Sequence, residues 1–255
     1  FKLMKIISYN INGIRAAIRK GFVDWLKEAS PDVICLQEIK ANVDQFNVNE
    51  FEKLGYHCFW FSAEKKGYSG VAILSKIKPN KVVYGCGVKE FDVEGRVLKA
   101  EFNNINILSC YFPSGSSGEI RQSFKMKFLN FFYDFMKTQK QGKHILACGD
   151  YNICHKPIDI HDPIRNKYSS GFLEEERMWI DSFLELGFVD TFREINSNPN
   201  MYSWWSYRAN ARLNNKGWRI DYHMLSDELK HKIKDAEILH NIHHSDHCPI
   251  LLKLN

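Results

Sequence analysis

Short polar signatures that follow apolar, strand-like runs are the feature that most restricts how this chain folds. Six of them occur between residues 10 and 247: Asn10-Ile11-Asn12, Gln37-Glu38, Tyr111, Gly149-Asp150-Tyr151-Asn152, Trp218-Arg219-Ile220-Asp221 and Ser245-Asp246-His247. Strands that end at the same edge of a sheet bring the residues that follow them into one crevice. Six such signatures, rich in Asn, Glu, Tyr, Asp and His, therefore predict one polar pocket at the rim of a sheet.

Apolar periodicity predicts more strands than helices. The predicted strands cover residues 5–10, 33–36, 56–61, 69–75, 96–102, 105–111, 144–148, 202–205, 219–225, 235–240 and 249–254. The predicted helices cover residues 22–29, 43–54, 119–137 and 174–186. The helix at 119–137 has phenylalanines at helical spacing, which is typical of a face packed in the core. Asn103-Asn104, between two strands, is typical of a hairpin turn.

This order of elements predicts an α/β fold in which two mixed β-sheets pack face to face with helices outside. Hairpins in both halves of the chain argue against a regular parallel βαβ repeat. No low-complexity linker interrupts the sequence, so we expect residues 4–255 to form a single catalytic domain. We expect Met4 to be the native start and residues 1–3 to precede it. The pocket would then lie where the two sheets meet at one edge.

The composition excludes a disordered chain and argues against a membrane protein. Of the 255 residues, 44% are hydrophobic and 14% are aromatic, which is enough for a large buried core. No apolar run approaches the ~20 residues that span a bilayer. The seven cysteines include no Cys-x-x-Cys pair, so we expect buried free thiols and a cytoplasmic location. The net charge of +5 does not by itself distinguish one class of partner from another.

The acidic and amide residues of the signatures are the ligand types of a hard divalent cation. Mg²⁺ usually takes one or two carboxylates and keeps several waters. Glu38 follows a fully apolar strand and is our first choice for the metal carboxylate. Asn10, Asn12 and Asp246 would complete the inner or outer shell around the ion. Such an ion neutralises charge on a phosphate that is being cleaved.

The remaining signature residues supply the other groups that phosphodiester cleavage needs. Asp150 is suited to accept a proton from water, and Asn152 to donate to a phosphate oxygen; both also count among the candidate metal ligands, as does His247. His247 needs a carboxylate partner to hold its tautomer, and Asp221 is the candidate. Tyr111 would donate its phenol to the phosphate. Whether Asp150 or His247 is the general base stays open.

Each residue also has an ordinary alternative role. Acidic residues after strands are commonly caps or surface residues, and Asn10 and Asn12 would suit a turn before Gly13. The histidines near the end of the chain resemble a zinc cluster, but no cysteine pattern supports zinc there. The case for a site therefore depends on the combination of signatures.

In combination, the signatures closely resemble those of the exonuclease III family of apurinic/apyrimidinic (AP) endonucleases. The matching stretches run in family order along the whole chain: Ser8-Tyr9-Asn10-Ile11-Asn12-Gly13-Ile14-Arg15-Ala16, Leu36-Gln37-Glu38-Ile39-Lys40, Gly67-Tyr68-Ser69-Gly70-Val71-Ala72, Tyr111-Phe112-Pro113, Gly149-Asp150-Tyr151-Asn152, Trp218-Arg219-Ile220-Asp221-Tyr222 and Ser245-Asp246-His247-Cys248-Pro249-Ile250. Individually, Ser-Asp-His and Gly-Asp-x-Asn also occur across the wider endonuclease/exonuclease/phosphatase superfamily.

The resemblance implies a four-layered α/β sandwich and a Mg²⁺-dependent enzyme, with Mn²⁺ as a substitute ion. It implies cleavage on the 5′ side of an abasic site, leaving a 3′-hydroxyl and a 5′-deoxyribose phosphate. Accessory 3′-phosphodiesterase and 3′→5′ exonuclease activities are also implied. The expected partner is double-stranded DNA with abasic sites or blocked 3′ ends, bound by a monomer.

The resemblance also implies a pocket for a flipped-out sugar that has lost its base. Trp204, Trp218 and Ile220 correspond to the residues that line it, with Trp204 where Phe is more usual. A small apolar pocket accepts a baseless deoxyribose and excludes an intact nucleotide. Further substrate contacts are expected from the polar and basic residues Asn210, Arg121 and Arg208.

Two other functions are weighed against this one. A superfamily phosphatase acting on phosphoinositide or sphingolipid would not need the Trp218-Arg219-Ile220-Asp221 pocket pattern, and no membrane-binding segment is seen. A catalytically silent DNA-binding module would have no physical reason to keep a costly cluster of acidic residues.

Overall fold

Two six-stranded β-sheets form the centre of the computed structural model, which describes residues 3–255. The strands of this range are β1 (Met4–Asn10), β2 (Val33–Gln37), β3 (His57–Phe61), β4 (Val71–Ser75), β5 (Lys81–Tyr84), β6 (Val97–Glu101), β7 (Asn106–Tyr111), β8 (Ile145–Asp150), β9 (Phe188–Asp190), β10 (Asp221–Ser226), β11 (Ile233–Ile238) and β12 (Ile250–Leu254). Its α-helices are α1 (Ile14–Arg19), α2 (Phe22–Ala29), α3 (Asn49–Glu52), α4 (Lys89–Asp92), α5 (Glu119–Gln139), α6 (Glu174–Glu185) and α7 (Thr191–Ile195). Short 3-10 helices cover Val43–Gln45, Pro157–Asp159 and Asp227–Lys232.

Each sheet is mixed, with one parallel pair at its centre. The first sheet has the order β11-β12-β1-β2-β4-β3, and the second has the order β5-β6-β7-β8-β10-β9. The parallel pairs are β1 with β2 and β7 with β8, and the other neighbours are antiparallel. The predicted hairpin at Asn103-Asn104 joins β6 to β7.

Side-chain alternation along the central strands builds four layers. In β2, Val33 and Cys35 face the core between the sheets, whereas Ile34 and Leu36 pack with α1, α2 and α3. In β8, the same alternation sends one set of side chains between the sheets and the other against α5 and α6. Residues i and i+2 of a strand face the same side, so a strand buried on both faces reads as continuously apolar. The predicted four-layered α/β sandwich is confirmed.

The long helix α5 packs its phenylalanines as predicted. Phe128 and Phe132 are fully buried against the second sheet, and Phe124, Phe131 and Phe135 pack around them. No helix within residues 3–255 is both long and apolar enough to cross a membrane.

Two predicted elements are wrong. The expected helix at 43–54 is split into Val43–Gln45 and α3, because Phe46 is extended and turns its ring against Trp60 and Phe51. The expected strand at 202–205 forms only isolated bridges, from Trp204 to Trp218 and His247. Tertiary packing outweighs the local pattern in both places.

Several short elements escaped the sequence analysis. They are α1, α4, α7, β5 and β9, each with only three to six residues. Elements this short carry less than two turns of periodicity, so an apolar pattern cannot identify them.

A buried ion network fixes the segment that leads into β10. Arg219 donates from Nε to Asp159 Oδ1 at 2.8 Å and from Nη2 to Asp190 Oδ2 at 2.7 Å. Arg193 approaches the same Asp159 oxygen at 2.7 Å. Burial alone would raise the pKa of Asp159, but Arg219 and Arg193 lower it to about 2. The network holds the Arg219 side chain in the interior, whereas the neighbouring residues Trp218 and Ile220 line a cleft.

We predict that Asp159→Ala lowers the free energy of unfolding by about 3–5 kcal/mol, because it removes the buried carboxylate that Arg219 and Arg193 share. Urea unfolding at neutral pH measures the loss. The matched control is Asp227→Ala, which removes a half-exposed partner of Lys140 and should cost less than about 1 kcal/mol. Equal effects of the two variants would contradict the assignment of Asp159 as the anchor.

Candidate active site

The polar signatures meet in one cleft of about 680 Å³ at the sheet edge. The carboxyl ends of β1, β2, β7 and β8 point to this edge, and β10 begins there with Asp221 paired to Asp150. The cleft is lined by Glu38, Tyr111, Asp150, Asn152, Asp246 and His247, together with Trp204, Trp218, Ile220 and the small residues of the 114–118 and 169–171 loops. The predicted single pocket is therefore present.

Gly149 is what lets Asp150 reach this edge. Its φ is 149°, and a Cβ there would lie 1.8 Å from the carbonyl oxygen of Cys110 on the neighbouring parallel strand. Only a residue without a side chain permits this close approach of two backbones. A glycine is therefore required directly before Asp150, the carboxylate that ends β8.

Asn10 holds two carboxylates next to each other. Its Nδ2 donates to Glu38 Oε1 and to Asp150 Oδ2, each at 2.9 Å, and its Oδ1 accepts from the backbone N–H of Asn12 at 3.0 Å. In this arrangement Asn10 clamps the carboxylates through its Nδ2, and its Oδ1 accepts one hydrogen bond and keeps one lone pair for a further contact. Because Asp150 belongs to the second sheet, this amide also joins the two sheets.

Asp221 and His247 form the predicted pair. His247 Nδ1 lies 2.8 Å from Asp221 Oδ2, and His247 Nε2 lies 3.7 Å from Asp150 Oδ2. Burial alone would lower the pKa of His247, but Asp221 raises it to about 10, with support from Asp150. Ser203, which the sequence did not single out, donates to the same Asp221 oxygen at 2.6 Å. His247 is therefore held as a charged imidazolium whose Nε2 faces Asp150.

The surroundings of Asp150 disfavour its charged form. Burial raises its pKa to about 7, helped by the negative charges of Asp221 and Glu38 and opposed by His247. Its Oδ1 accepts from the backbone N–H of Asn152 at 2.8 Å. A buried carboxyl group with such a pKa exchanges its proton easily near neutral pH.

Asn12 and Asp246 form a second group beside Glu38. Asn12 Nδ2 donates to Asp246 Oδ1 at 2.9 Å, and Trp204 Nε1 donates to Asp246 Oδ2 at 3.0 Å. Lys40 bridges the groups, since its Nζ donates to Asn12 Oδ1 at 2.5 Å and lies 2.7 Å from Glu38 Oε2. Lys40 lies two residues after Glu38 in the motif, and this closeness is the only feature of the sequence that indicates a place for Lys40 in the site.

Tyr111 is kept as a phenol. Burial raises its pKa well above the usual value, and the charges of Glu38 and Asp150 add to the effect. Arg96 lies over the Tyr111 ring at 4.9 Å and donates to the Tyr111 carbonyl at 2.8 Å. No sequence signal singles out Arg96, because a single basic residue beside a strand is usually solvated.

An apolar wall closes the cleft next to the acidic groups. The rings of Trp204 and Trp218 meet edge to face with centroids 6.1 Å apart. Ile220 packs behind them with Phe172 and Ile160. The wall and the acidic cluster line the same cavity.

The three expected polar substrate contacts lie outside this cavity. Arg121 donates to Glu94 at 3.0 Å and to the Tyr68 hydroxyl at 3.0 Å, so its charge is already compensated. Arg208 and Asn210 are exposed on the loop that follows Trp204. These two side chains remain accessible to a large partner that covers the mouth of the cleft.

The donor set fits a divalent cation. One ligand atom each from Glu38, Asp150 and His247 lie within 4.8 Å of one another. Two carboxylates lie within the one or two that Mg²⁺ usually takes, and a positive ion here would favour the charged form of Asp150. His247 Nδ1 faces Asp221, and the charged imidazolium carries a proton on Nε2, so Glu38 and Asp150 supply the negative ligands and Nε2 would coordinate only after losing that proton.

Comparisons with known proteins agree with the geometry. The model of the Endonuclease/Exonuclease/phosphatase family matches residues 7–247. The chain is 44% identical to an exodeoxyribonuclease of Bacillus subtilis, over 99% of this chain and 100% of that protein. It is 39% identical to the DNA repair nuclease APEX1 of Danio rerio, over 98% of this chain and 82% of that protein.

Solved structures show the same likeness. An AP endonuclease from Archaeoglobus fulgidus superposes with a TM-score of 0.91 at 30% identity, covering 99% of both chains. The chain therefore belongs to the endonuclease/exonuclease/phosphatase superfamily, whose members are metal-dependent hydrolases. Within that superfamily it is a member of the exonuclease III family of AP endonucleases, as its signatures predicted.

We predict that binding of a divalent cation releases a proton near neutral pH. At pH 7 an Asp150 with a pKa of about 7 carries roughly half a proton, which the cation displaces because it favours the carboxylate. Calorimetric titration with Mg²⁺ in buffers of different ionisation enthalpy measures the release. It should shrink as the pH rises above the pKa of Asp150, and Asp150→Asn should abolish this component. Enthalpies that do not depend on the buffer would contradict the prediction.

Proposed function

We propose that this protein is a Mg²⁺-dependent AP endonuclease, for which Mn²⁺ can substitute, that hydrolyses the phosphodiester on the 5′ side of an abasic site in double-stranded DNA. The products are a 3′-hydroxyl and a 5′-deoxyribose phosphate. The observation that carries the proposal is the shared cavity, in which the apolar wall of Trp204, Trp218 and Ile220 adjoins the acidic cluster.

The shape of the cavity supports a sugar without a base as the bound group. The apolar edge of a deoxyribose suits packing against the two indole rings that line the cavity. An intact nucleotide must leave the base stack at a cost of a few kcal/mol, which a baseless one largely avoids. A terminal 3′ sugar fits the same wall, which supports 3′-phosphodiesterase and 3′→5′ exonuclease activity at this site.

The pKa values support distinct roles for Asp150 and His247. Asp150, with a pKa of about 7, is the base that takes a proton from the attacking water. His247, with a pKa of about 10, is the charged donor to a phosphate oxygen, oriented by Asp221. Tyr111 and Asn152 donate further hydrogen bonds to the phosphate.

Glu38, with Asp150 and the Nε2 side of His247 nearby, is the carboxylate that would hold Mg²⁺. When bound, the ion supplies positive charge to the phosphate oxygens. Asn10 spaces the two carboxylates, and Asn12 with Asp246 forms an outer group that Lys40 connects to Glu38.

The partner is proposed to be duplex DNA bound by a monomer whose residues 4–255 form one catalytic domain. Arg208 and Asn210 would contact the DNA around the flipped sugar. Arg121 pairs with Glu94 at the rim behind Tyr111, and it would contribute to DNA binding indirectly, through that ion pair.

The deciding experiment uses a duplex with a single tetrahydrofuran abasic analogue. We expect a nick on the 5′ side of the analogue with Mg²⁺ and none with EDTA, read on a denaturing gel. The same duplex with an intact nucleotide at that position is the control for the pocket. Failure of Mg²⁺ to produce a nick beside the analogue would sink the proposal.

We predict that Asp150→Asn and His247→Asn each lower kcat by at least ~10²-fold, as expected on losing a base or a charged donor. The chain offers a matched control in His155 and Asp181, a second His–Asp pair at 2.8 Å that lies outside the cleft. His155→Asn and Asp181→Asn should leave kcat within about twofold of the unchanged protein. Losses below about tenfold at both Asp150 and His247 would mean that the roles are misassigned.

A further inference from the structure

A buried ion pair lies directly behind the cleft and takes no part in the chemistry proposed above. Lys125 of α5 and Glu176 of α6 both have side chains that are 0% exposed, and Lys125 Nζ lies 2.6 Å from Glu176 Oε1. Gln122 donates to the same Glu176 oxygen at 3.1 Å. A fully buried lysine is unusual, because removing an ammonium group from water is costly.

Each partner of the pair holds a different segment of the cleft. Lys125 Nζ donates to the backbone carbonyl of Asn152 at 2.8 Å. Glu176 Oε2 accepts from the backbone N–H of Gly171 at 2.6 Å and from that of Leu173 at 3.1 Å. The pair thus connects the turn that carries Asn152 to the loop that carries Gly171.

Gly171 connects the ion pair to the apolar wall, because it packs against Trp218. A Cβ at Gly171 would lie 2.9 Å from Cζ3 of Trp218 and 3.1 Å from the carbonyl oxygen of Asn152, so the three groups are in tight contact. The Gly171 carbonyl also accepts from the backbone N–H of Cys154 at 2.7 Å. A shift of the Gly171 loop therefore moves the Trp218 ring, the Asn152 turn or both.

Stability alone does not account for the pair. Replacing a buried ion pair with apolar residues of similar volume is often neutral or stabilising. What apolar residues cannot supply is a directional contact to the Asn152 carbonyl and to the Gly171 N–H. Asn152 has a φ of 52°, in the left-handed region that asparagine tolerates, and the Lys125 contact fixes the direction of its carbonyl.

We propose that Lys125 and Glu176 are positioning residues that hold the Asn152 turn and the Gly171 loop in register. The side chains that donate hydrogen bonds to the phosphate are then aligned with a sugar bound against Trp218. This inference rests on the proposed function for its catalytic consequence. Its structural consequence, the immobilisation of two segments, is independent of any substrate.

The main variant is the double substitution Lys125→Met/Glu176→Gln, which keeps the volume and removes both charges. The new Gln oxygen can still accept from Gly171, but nothing reaches the Asn152 carbonyl. We expect faster hydrogen–deuterium exchange in residues 150–154, and kcat at least ~10-fold lower with KM within about threefold, because a transition-state donor is misplaced.

The matched control is Lys127→Met/Glu90→Gln, which makes the same changes in an ion pair on the solvent side of α5. Lys127 Nζ lies 2.6 Å from Glu90 Oε1, with side chains 62% and 41% exposed. Exchange in residues 150–154 and both kinetic constants should stay at the values of the unchanged protein. Urea unfolding of both double variants separates a general loss of stability from a local one.

A second variant keeps the test decisive if the main variant does not fold. Lys125→Gln removes one partner of a buried ion pair and should lower stability, but the Glu176 carboxylate keeps the N–H donors of Gly171, Leu173 and Gln122. Urea unfolding checks that the variant is folded before it is assayed. Its shorter side chain cannot span the distance to the Asn152 carbonyl, so the same local rise in exchange and loss of kcat are expected.

Two results would overturn the inference. The first is unchanged exchange in residues 150–154 in every folded variant at Lys125. The second is faster exchange with an unchanged kcat, which would leave the pair without a role in alignment. If the unchanged protein does not nick the abasic duplex at all, the proposed function fails, and the exchange data alone still decide whether the pair immobilises these segments.

Discussion

The amide of Asn10 is the contact on which the rest of the site depends. It donates to Glu38 and Asp150 at 2.9 Å each, and so holds two like charges together in a nearly buried cleft. Asp150 comes from the second sheet, whereas Asn10 and Glu38 belong to the first. The acidic centre therefore exists only when the two sheets are packed in their native register. The raised pKa of Asp150 is the measurable sign of the strain that this packing imposes.

Buried charge supports the two sides of the cleft in different ways. Arg219 is held by Asp159 and Asp190 below the wall, and it orients the adjoining Trp218 and Ile220 toward the cavity. On the other side, Lys125 and Glu176 hold backbone groups. In both cases charges away from the reacting groups position the residues that face the substrate. The directed contacts of each network, to Asp159 and Asp190 on one side and to the Asn152 and Gly171 backbone on the other, confer this geometry.

Much of the fold followed from local patterns, and the exceptions have a common cause. The strands β1, β2, β7 and β8 were predictable because they are buried on both faces and read as continuous apolar runs. The failures at 43–54 and 202–205 are places where an aromatic ring, of Phe46 or Trp204, sets the backbone by packing with residues distant in sequence. Lys40, Arg96 and Ser203 were missed for a related reason, since each matters only through a partner that the fold brings to it.

The sequence by itself determined which residues end the strands, because the alternation of apolar runs and polar signatures is a local property of the chain. It therefore determined the layered fold, the family and the membership of most of the cleft. Only the tertiary structure decided what each group is free to do. Asn10 uses its amide as a clamp, Arg121 is neutralised by Glu94, and Asp150 and His247 have pKa values near 7 and 10. Hydrogen-bond direction, burial and charge spacing all depend on neighbours that lie far apart in the sequence, and folding alone brings them together.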